Sequence, residues 1–143
     1  MIALLIVVID TSVWISGVFY RGNPFRVLQA WRDEKFQLVY TDETLAEIET
    51  RLRDKAVEFG ADNVLVDEWI GFIRTFARII PSTNAAKGAT RDPKDDKFLD
   101  AAISGSAAYL VSSDRDLLVL EEYEGIKIVN PKEFLIVLEN LEP

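Results

Sequence analysis

The sequence predicts an α/β fold, a three-layer α/β/α sandwich around a parallel sheet. Three observations carry that reading. Short apolar runs rich in β-branched residues recur at 2–9, 36–40, 108–113 and 126–131. Helical patterns separate these runs, and such alternation calls for right-handed crossovers between parallel strands. Finally, the first run stops on Asp10, and "AYLVSS" is followed by Asp114 and Asp116. In open α/β sheets the carboxyl edge of the strands is where ligands bind.

Taken in order, residues 2–9 lack a period of two, so both faces of this strand are expected to be buried. Residues 11–23 are assigned no element. "PFRVLQAWRD" (24–33) opens with Pro at the first helical position and sets Phe25, Leu28 and Trp31 on one face. "FQLVY" (36–40) is a short strand. Residues 41–60 form a helix with a Thr or Asp cap, acids in the first turn and Gly60 at the end. Residues 61–80 form a second helix that passes into a short strand near 77–80. A loop spans 81–89, a helix 92–107 and a strand 108–113. A short helix over 114–125 ends at Gly125, and a last strand (126–131) leads to a last helix (131–140). With no linker, repeat or low-complexity stretch, residues 1–143 are expected to be one domain.

Composition narrows the chemistry. Hydrophobic residues make up 49% and charged residues 28%, the balance of a globular protein. Nine apolar residues run from Met1 to Ile9, too few to span a bilayer, without the basic flank of a secretory signal. No membrane association and a cytoplasmic location are therefore expected. The chain has no Cys and no His. Thiolate nucleophiles, disulfides and the commonest general base are excluded. Any metal must be held by oxygen, which selects hard cations such as Mg²⁺ or Mn²⁺.

The candidate site residues are acids. Asp10 and Asp114 each follow a strand, and Asp116 lies close behind. Glu47 sits in the helix after the second strand, although Glu43 and Glu49 serve equally well by position alone. Asp92, Asp95 and Asp96 open the helix before the "AYLVSS" strand. Each also has a plainer role to weigh. Asp10 and Asp114 suit helix N-caps, and Asp92 before Pro93 is a good cap with Pro in the first position. Gathered carboxylates repel one another unless a cation compensates. A divalent ion can do that, acidify a bound water and hold a phosphate oxygen, so hydrolysis needs no His.

The chain resembles the PIN domain, the metal-dependent ribonuclease family that includes the VapC-like toxins of prokaryotic toxin–antitoxin pairs. "VVIDTSVWISG" is similar to the family's opening motif and "TDETLAEIETRL" to its second. "DPKDDKFLDAAISGSAAYLVSSDRDLL" resembles the third and fourth run together. The resemblance implies a Rossmann-like sandwich with a short parallel sheet. It matches Asp10, Glu47, Asp96 and Asp114 to the acids around one or two Mg²⁺ or Mn²⁺ ions, with Asp116 assisting. Ser12 and Ser112 fall where the family often has a hydroxyl that orients a carboxylate or phosphate; both also suit the satisfaction of backbone groups at strand ends. The implied activity is endonucleolytic cleavage of single-stranded RNA by a metal-activated water. The implied partners are RNA, a small antitoxin protein and a second copy of the chain. On the helix of the third motif, Asp96 projects to the edge of the apolar stripe and Asp95 nearer its middle, which also favours Asp96.

The net charge of −8 opposes binding to a polyanion. With the five candidate acids set aside, 19 acids face 16 bases, a net of −3. Arg21, Arg26, Lys94, Lys97 and Arg115 lie near the motifs in sequence and are the candidate phosphate contacts. Six large apolar residues, Trp14, Phe19, Tyr20, Trp31, Trp69 and Phe72, either fill the core or leave an apolar patch that fits a homodimer. Two enzyme alternatives fit less well. A phosphoacceptor domain needs an acidic pair after the first strand, where this chain has Thr11 and Ser12. A haloacid-dehalogenase-like phosphatase needs a second Asp at the position of Ser12. A PIN-like binding module with little turnover is the remaining alternative.

Overall fold

The computed structural model describes residues 4–83, 86, 88 and 93–141. Among the described residues six strands form one sheet: β1 (Ile6–Ile9), β2 (Gln37–Tyr40), β3 (Arg78–Ile79), β4 (Tyr109–Val111), β5 (Glu122–Tyr123) and β6 (Ile126–Val129). They lie in the order β3-β2-β1-β4-β6-β5. Every pairing is parallel except that of β5 with β6. The described residues carry helices α1 (Thr11–Phe19), α2 (Asn23–Arg32), α3 (Asp42–Phe59), α4 (Asn63–Phe76), α5 (Pro93–Ser104), α6 (Arg115–Leu118) and α7 (Pro131–Leu141).

The strand order positions the site. From β1 the chain steps outward to β2 and β3, then returns to the other side of β1 to lay down β4. Right-handed connections therefore set α1–α4 on one face and α5 on the other, which yields the three layers. The direction reverses between β1 and β4, and crevices for ligands open at the carboxyl ends of strands at such a switch point. Val7 of β1 pairs with Leu38 on one side and Tyr109 on the other. Val7, Val8 and Ile9 are fully buried, as the unbroken apolar run predicts.

Two devices fix the elements that bear acids. Thr41 caps α3 in a reciprocal pair with Thr44, each side chain accepting from the other's backbone N–H, and Gly60 closes the helix at φ 65°. On the α1 side, Trp14 sits edge-on to Trp31 and Trp69, with centroids 6.0 and 5.8 Å away. Its Nε1 donates to the Tyr40 hydroxyl at 2.6 Å, which donates at 2.7 Å to the Ile9 carbonyl just before Asp10. Burial holds the Tyr40 phenol well above its usual pKa, so it remains a neutral donor.

The sequence reading needs two corrections here. Residues 11–19, assigned no element, form α1: its apolar residues go nearly all round the helix, and it packs on α2, α3 and α4. The helix expected over 114–125 is only α6. The chain then turns through Glu121, at φ 60°, into a β5–β6 hairpin whose turn uses Glu124 and Gly125 at φ 52° and 82°. Of the six large apolar residues, the three Trp lie in the core, Phe19 and Phe72 are partly buried against it, and Tyr20 is 58% exposed. Among the described residues no helix is long and apolar enough to cross a membrane.

Candidate active site

Asp10 follows β1 at the carboxyl edge of the sheet and caps α1. Its Oδ1 caps α1 by accepting from the Val13 N–H at 3.2 Å, and its backbone N–H still pairs with Val111 of β4. Ser12 Oγ donates to Oδ1 at 2.6 Å, and Ser112 Oγ donates to Oδ2. The side chain is only 3% exposed. Burial pushes its pKa up to about 6; the two hydroxyls and the Val13 N–H pull it down, and the nearby Asp114 charge raises it again.

Asp114 follows β4 and caps α6, accepting from the Asp116 N–H at 2.9 Å. Its own N–H donates to Ser112 Oγ at 2.9 Å, so one hydroxyl links the Asp10 carboxylate to the Asp114 backbone. Ser12 does the equivalent, accepting from the Ser113 N–H at 3.1 Å. Each serine thus orients a carboxylate and satisfies a backbone group at a strand end.

Glu47 projects from α3 into the same neighbourhood. Thr11 Oγ1 donates to its Oε2 at 2.6 Å, and Lys97 Nζ donates to Oε1 at 3.0 Å. Glu49, equal to it by sequence position, instead pairs with Arg53 and Arg74 on the outer face of α3, which lower its pKa. Asp96, on α5 beside Lys97, is 6% exposed, and its Oδ2 accepts from the Gly88 N–H at 2.7 Å. A chain of contacts therefore runs from Asp114 through Ser112, Asp10, Thr11, Glu47 and Lys97 to α5. Asp92 and the side chains of Lys94 and Asp95 lie outside the described residues.

Sequence reasoning missed two residues here. Thr11 holds Glu47 across 36 residues of chain, which no local pattern reveals. Asp100, one turn beyond Asp96, is 5% exposed and accepts from the Ala86 N–H. At 100° per residue Asp100 projects well off the apolar stripe of that helix, so the sequence carried no signal for its burial.

A Rossmann-like sandwich with Asp10 and Asp114 at its switch point, and Glu47 of α3 joined to it through Thr11 and to α5 through Lys97, is the class that this geometry defines. The family model for the PIN domain matches residues 6–116, and the chain belongs to that family, whose members are generally nucleases. It is similar to the uncharacterized protein MJ1680 of Methanocaldococcus jannaschii, 32% identical over 90% of this chain and 88% of that one. Its fold is similar to the crystal structure of PAE2754 from Pyrobaculum aerophilum, with a TM-score of 0.64, 15% identity, and coverage of 95% of this chain and 90% of that one.

PIN domains typically use divalent metal ions. The donors here fit a hard cation: all are oxygen, and Asp10 is a buried carboxylate whose charge, beside Asp114, lacks a cationic partner among the described residues. Among those residues no three acids stand close enough to form a ready-made cage. Glu47 is bonded to Thr11 and Lys97, and Asp96 accepts from the Gly88 N–H.

Proposed function

We propose that the protein is a divalent-metal-dependent endoribonuclease that hydrolyses phosphodiester bonds of RNA, working in the cytoplasm as the toxin of a toxin–antitoxin pair. The observation that carries the nuclease reading is the Asp10–Ser112–Asp114 arrangement at the switch point, inside the stretch that matches the PIN family. Asp10 and Asp114 would hold Mg²⁺ or Mn²⁺, with Glu47, Asp96 and Asp116 around them. The ion would supply an acidified water and neutralise charge on the scissile phosphate. The chain's own residues supply position. Ser12 and Ser112 fix both oxygens of Asp10, Thr11 fixes Glu47, and the Trp14–Tyr40 pair anchors the strand end on which Asp10 stands. A homodimer and a small inhibitory antitoxin follow from the resemblance to VapC-like toxins, and light scattering at micromolar concentration checks the dimer.

Incubation with a pool of structured and unstructured RNAs tests the activity. Cleavage is expected with Mn²⁺, and none in excess EDTA or in Asp10→Asn. Cleavage that survives EDTA would overturn the metal mechanism. A second reading, a PIN-like module that binds RNA or protein with little turnover, is favoured by one observation: no three described acids are gathered into a cage. An RNA pool that is bound but left intact with Mn²⁺ present would select it.

A further inference from the structure

Lys97 brings a positive charge into the acid edge. Its Nζ lies 3.0 Å from Glu47 Oε1 and 3.9 Å from Glu43 Oε1. The Lys97 and Glu47 side chains are 20% and 22% exposed, so the pair stands at the mouth of the site, within reach of solvent. Thr11 holds the other oxygen of Glu47, which gives that carboxylate a fixed seat. The ammonium therefore occupies an oxygen that a divalent ion at this edge would also draw on.

We propose that Lys97 is an exchangeable counter-cation of the site. While no divalent ion is bound it neutralises Glu47; once an ion takes over that charge, it turns to a phosphate oxygen of the substrate. This rests on the metal-dependent nuclease reading above. Two physical arguments support the exchange. An ammonium kept on Glu47 beside a divalent ion would be repelled by it at close range. And a chain of net charge −8 needs positive charge near the scissile phosphate, which a compact charge on a flexible four-carbon stem can deliver without rebuilding the fold.

The test uses Lys97→Met, of similar length without the charge, and Lys97→Arg, which keeps it. Calorimetry measures Mn²⁺ binding to the metal-free proteins. Fluorescence anisotropy measures binding of a phosphorothioate-linked single-stranded oligoribonucleotide to the Mn²⁺-loaded proteins. Removing a partly exposed ion pair is expected to strengthen Mn²⁺ binding by about fivefold in Lys97→Met and to weaken oligoribonucleotide binding by about fivefold. Lys97→Arg is expected to stay near wild type in both. A side chain that only props up the fold would weaken both together, and that result overturns the exchange, as does either measurement left unmoved. Wild-type protein that binds no Mn²⁺ removes the metal reading and Lys97's role with it. Wild-type and Lys97→Met proteins that bind Mn²⁺ equally remove the role alone.

Discussion

Asp10 is a carboxylate held in the core by two hydroxyls and a helix N-terminus, and its charge remains costly there. Its pKa of about 6 in the folded protein lies above the ordinary 3.8, so the folded state holds the proton more tightly than the unfolded state does. In metal-free protein the penalty is absent below about pH 4, grows as the pH rises toward 6 and is constant above, reaching about 3 kcal/mol. Asp10→Asn removes it. In EDTA the variant's melting temperature relative to wild type should climb between pH 4 and 6 and then level off, while cleavage and stabilisation by Mn²⁺ are both lost. A difference that stays flat with pH would mean that the charge is not buried as described. The two acids of α5 separate by a similar experiment. Asp96→Asn and Asp100→Asn each keep an oxygen for the Gly88 or Ala86 N–H, so both should fold. Asp96→Asn should lose cleavage and weaken Mn²⁺ binding, and Asp100→Asn should stay active. The reverse pattern would place the motif one helical turn out of register. The places of Asp10 and Asp114 at strand ends were legible because a buried strand that stops on an acid leaves few places for that acid to go. Thr11's bond to Glu47 was not, because it exists only once α1 and α3 pack together.

At the scale of elements, α5 is the piece that carries Asp96 and Lys97, and a glycine sets how closely it lies on the sheet. A Cβ on Gly105 would stand 2.6 Å from both γ carbons of Val39 on β2 and 3.0 Å from the Ala101 carbonyl. Val39 is fully buried and branched at Cβ, so its methyls cannot swing clear. Gly105→Ala should cost about 1–3 kcal/mol, and Val39→Ala in the same chain should return part of it; equal melting temperatures for wild type and Gly105→Ala would refute the close contact. The sequence reading of α5 fared well, because its apolar stripe has a helical period and its partner strand follows directly. The reading of α1 failed for the opposite reason. A helix buried on most sides has no polar face to give it a period, and Val13, Ile15 and Val18 are strand formers by propensity alone. The β5–β6 hairpin escaped notice because β5 is two residues long and its turn places Glu124 at positive φ, a residue type that does not announce such a turn.

For the whole molecule, the proposed nuclease role raises the question of how a chain with 24 acids and 16 bases would meet a polyanion. Five bases lie near the motifs in sequence, and the fold sorts them. Lys97 is at the acid edge on Glu47, and Arg115 follows Asp114 in the first turn of α6, exposed. Arg21 lies past the far end of α1, a helix that starts at the edge and carries the chain about 13 Å away from it. There it stacks on the Phe25 ring at 4.2 Å. Arg26 lines a cleft between α2 and α7 together with Asp33 and Glu139. Proximity in sequence is not proximity in space at these two positions, since a single helix carries the chain to a different end of the molecule. Lys94's side chain lies outside the described residues. Among the described side chains of these five, Lys97 and Arg115 are the bases beside the acids, and on the proposed nuclease reading they would be the phosphate contacts. Counter-ion release from a single strand contributes a slope of about −0.7 per phosphate neutralised, so the logarithm of RNA affinity should fall against the logarithm of salt with a slope of about −1.4. On that reading, most of the affinity would come from a bound divalent ion and from base stacking or shape, which resist salt. Anisotropy titrations of the Mn²⁺-loaded wild type on phosphorothioate RNA measure that slope between 50 and 300 mM KCl, roughly the range in which release dominates. A slope near −3 would show that Arg21 and Arg26 also reach the strand, so that the RNA path wraps round α1 to the far end of the molecule instead of ending at the acid edge.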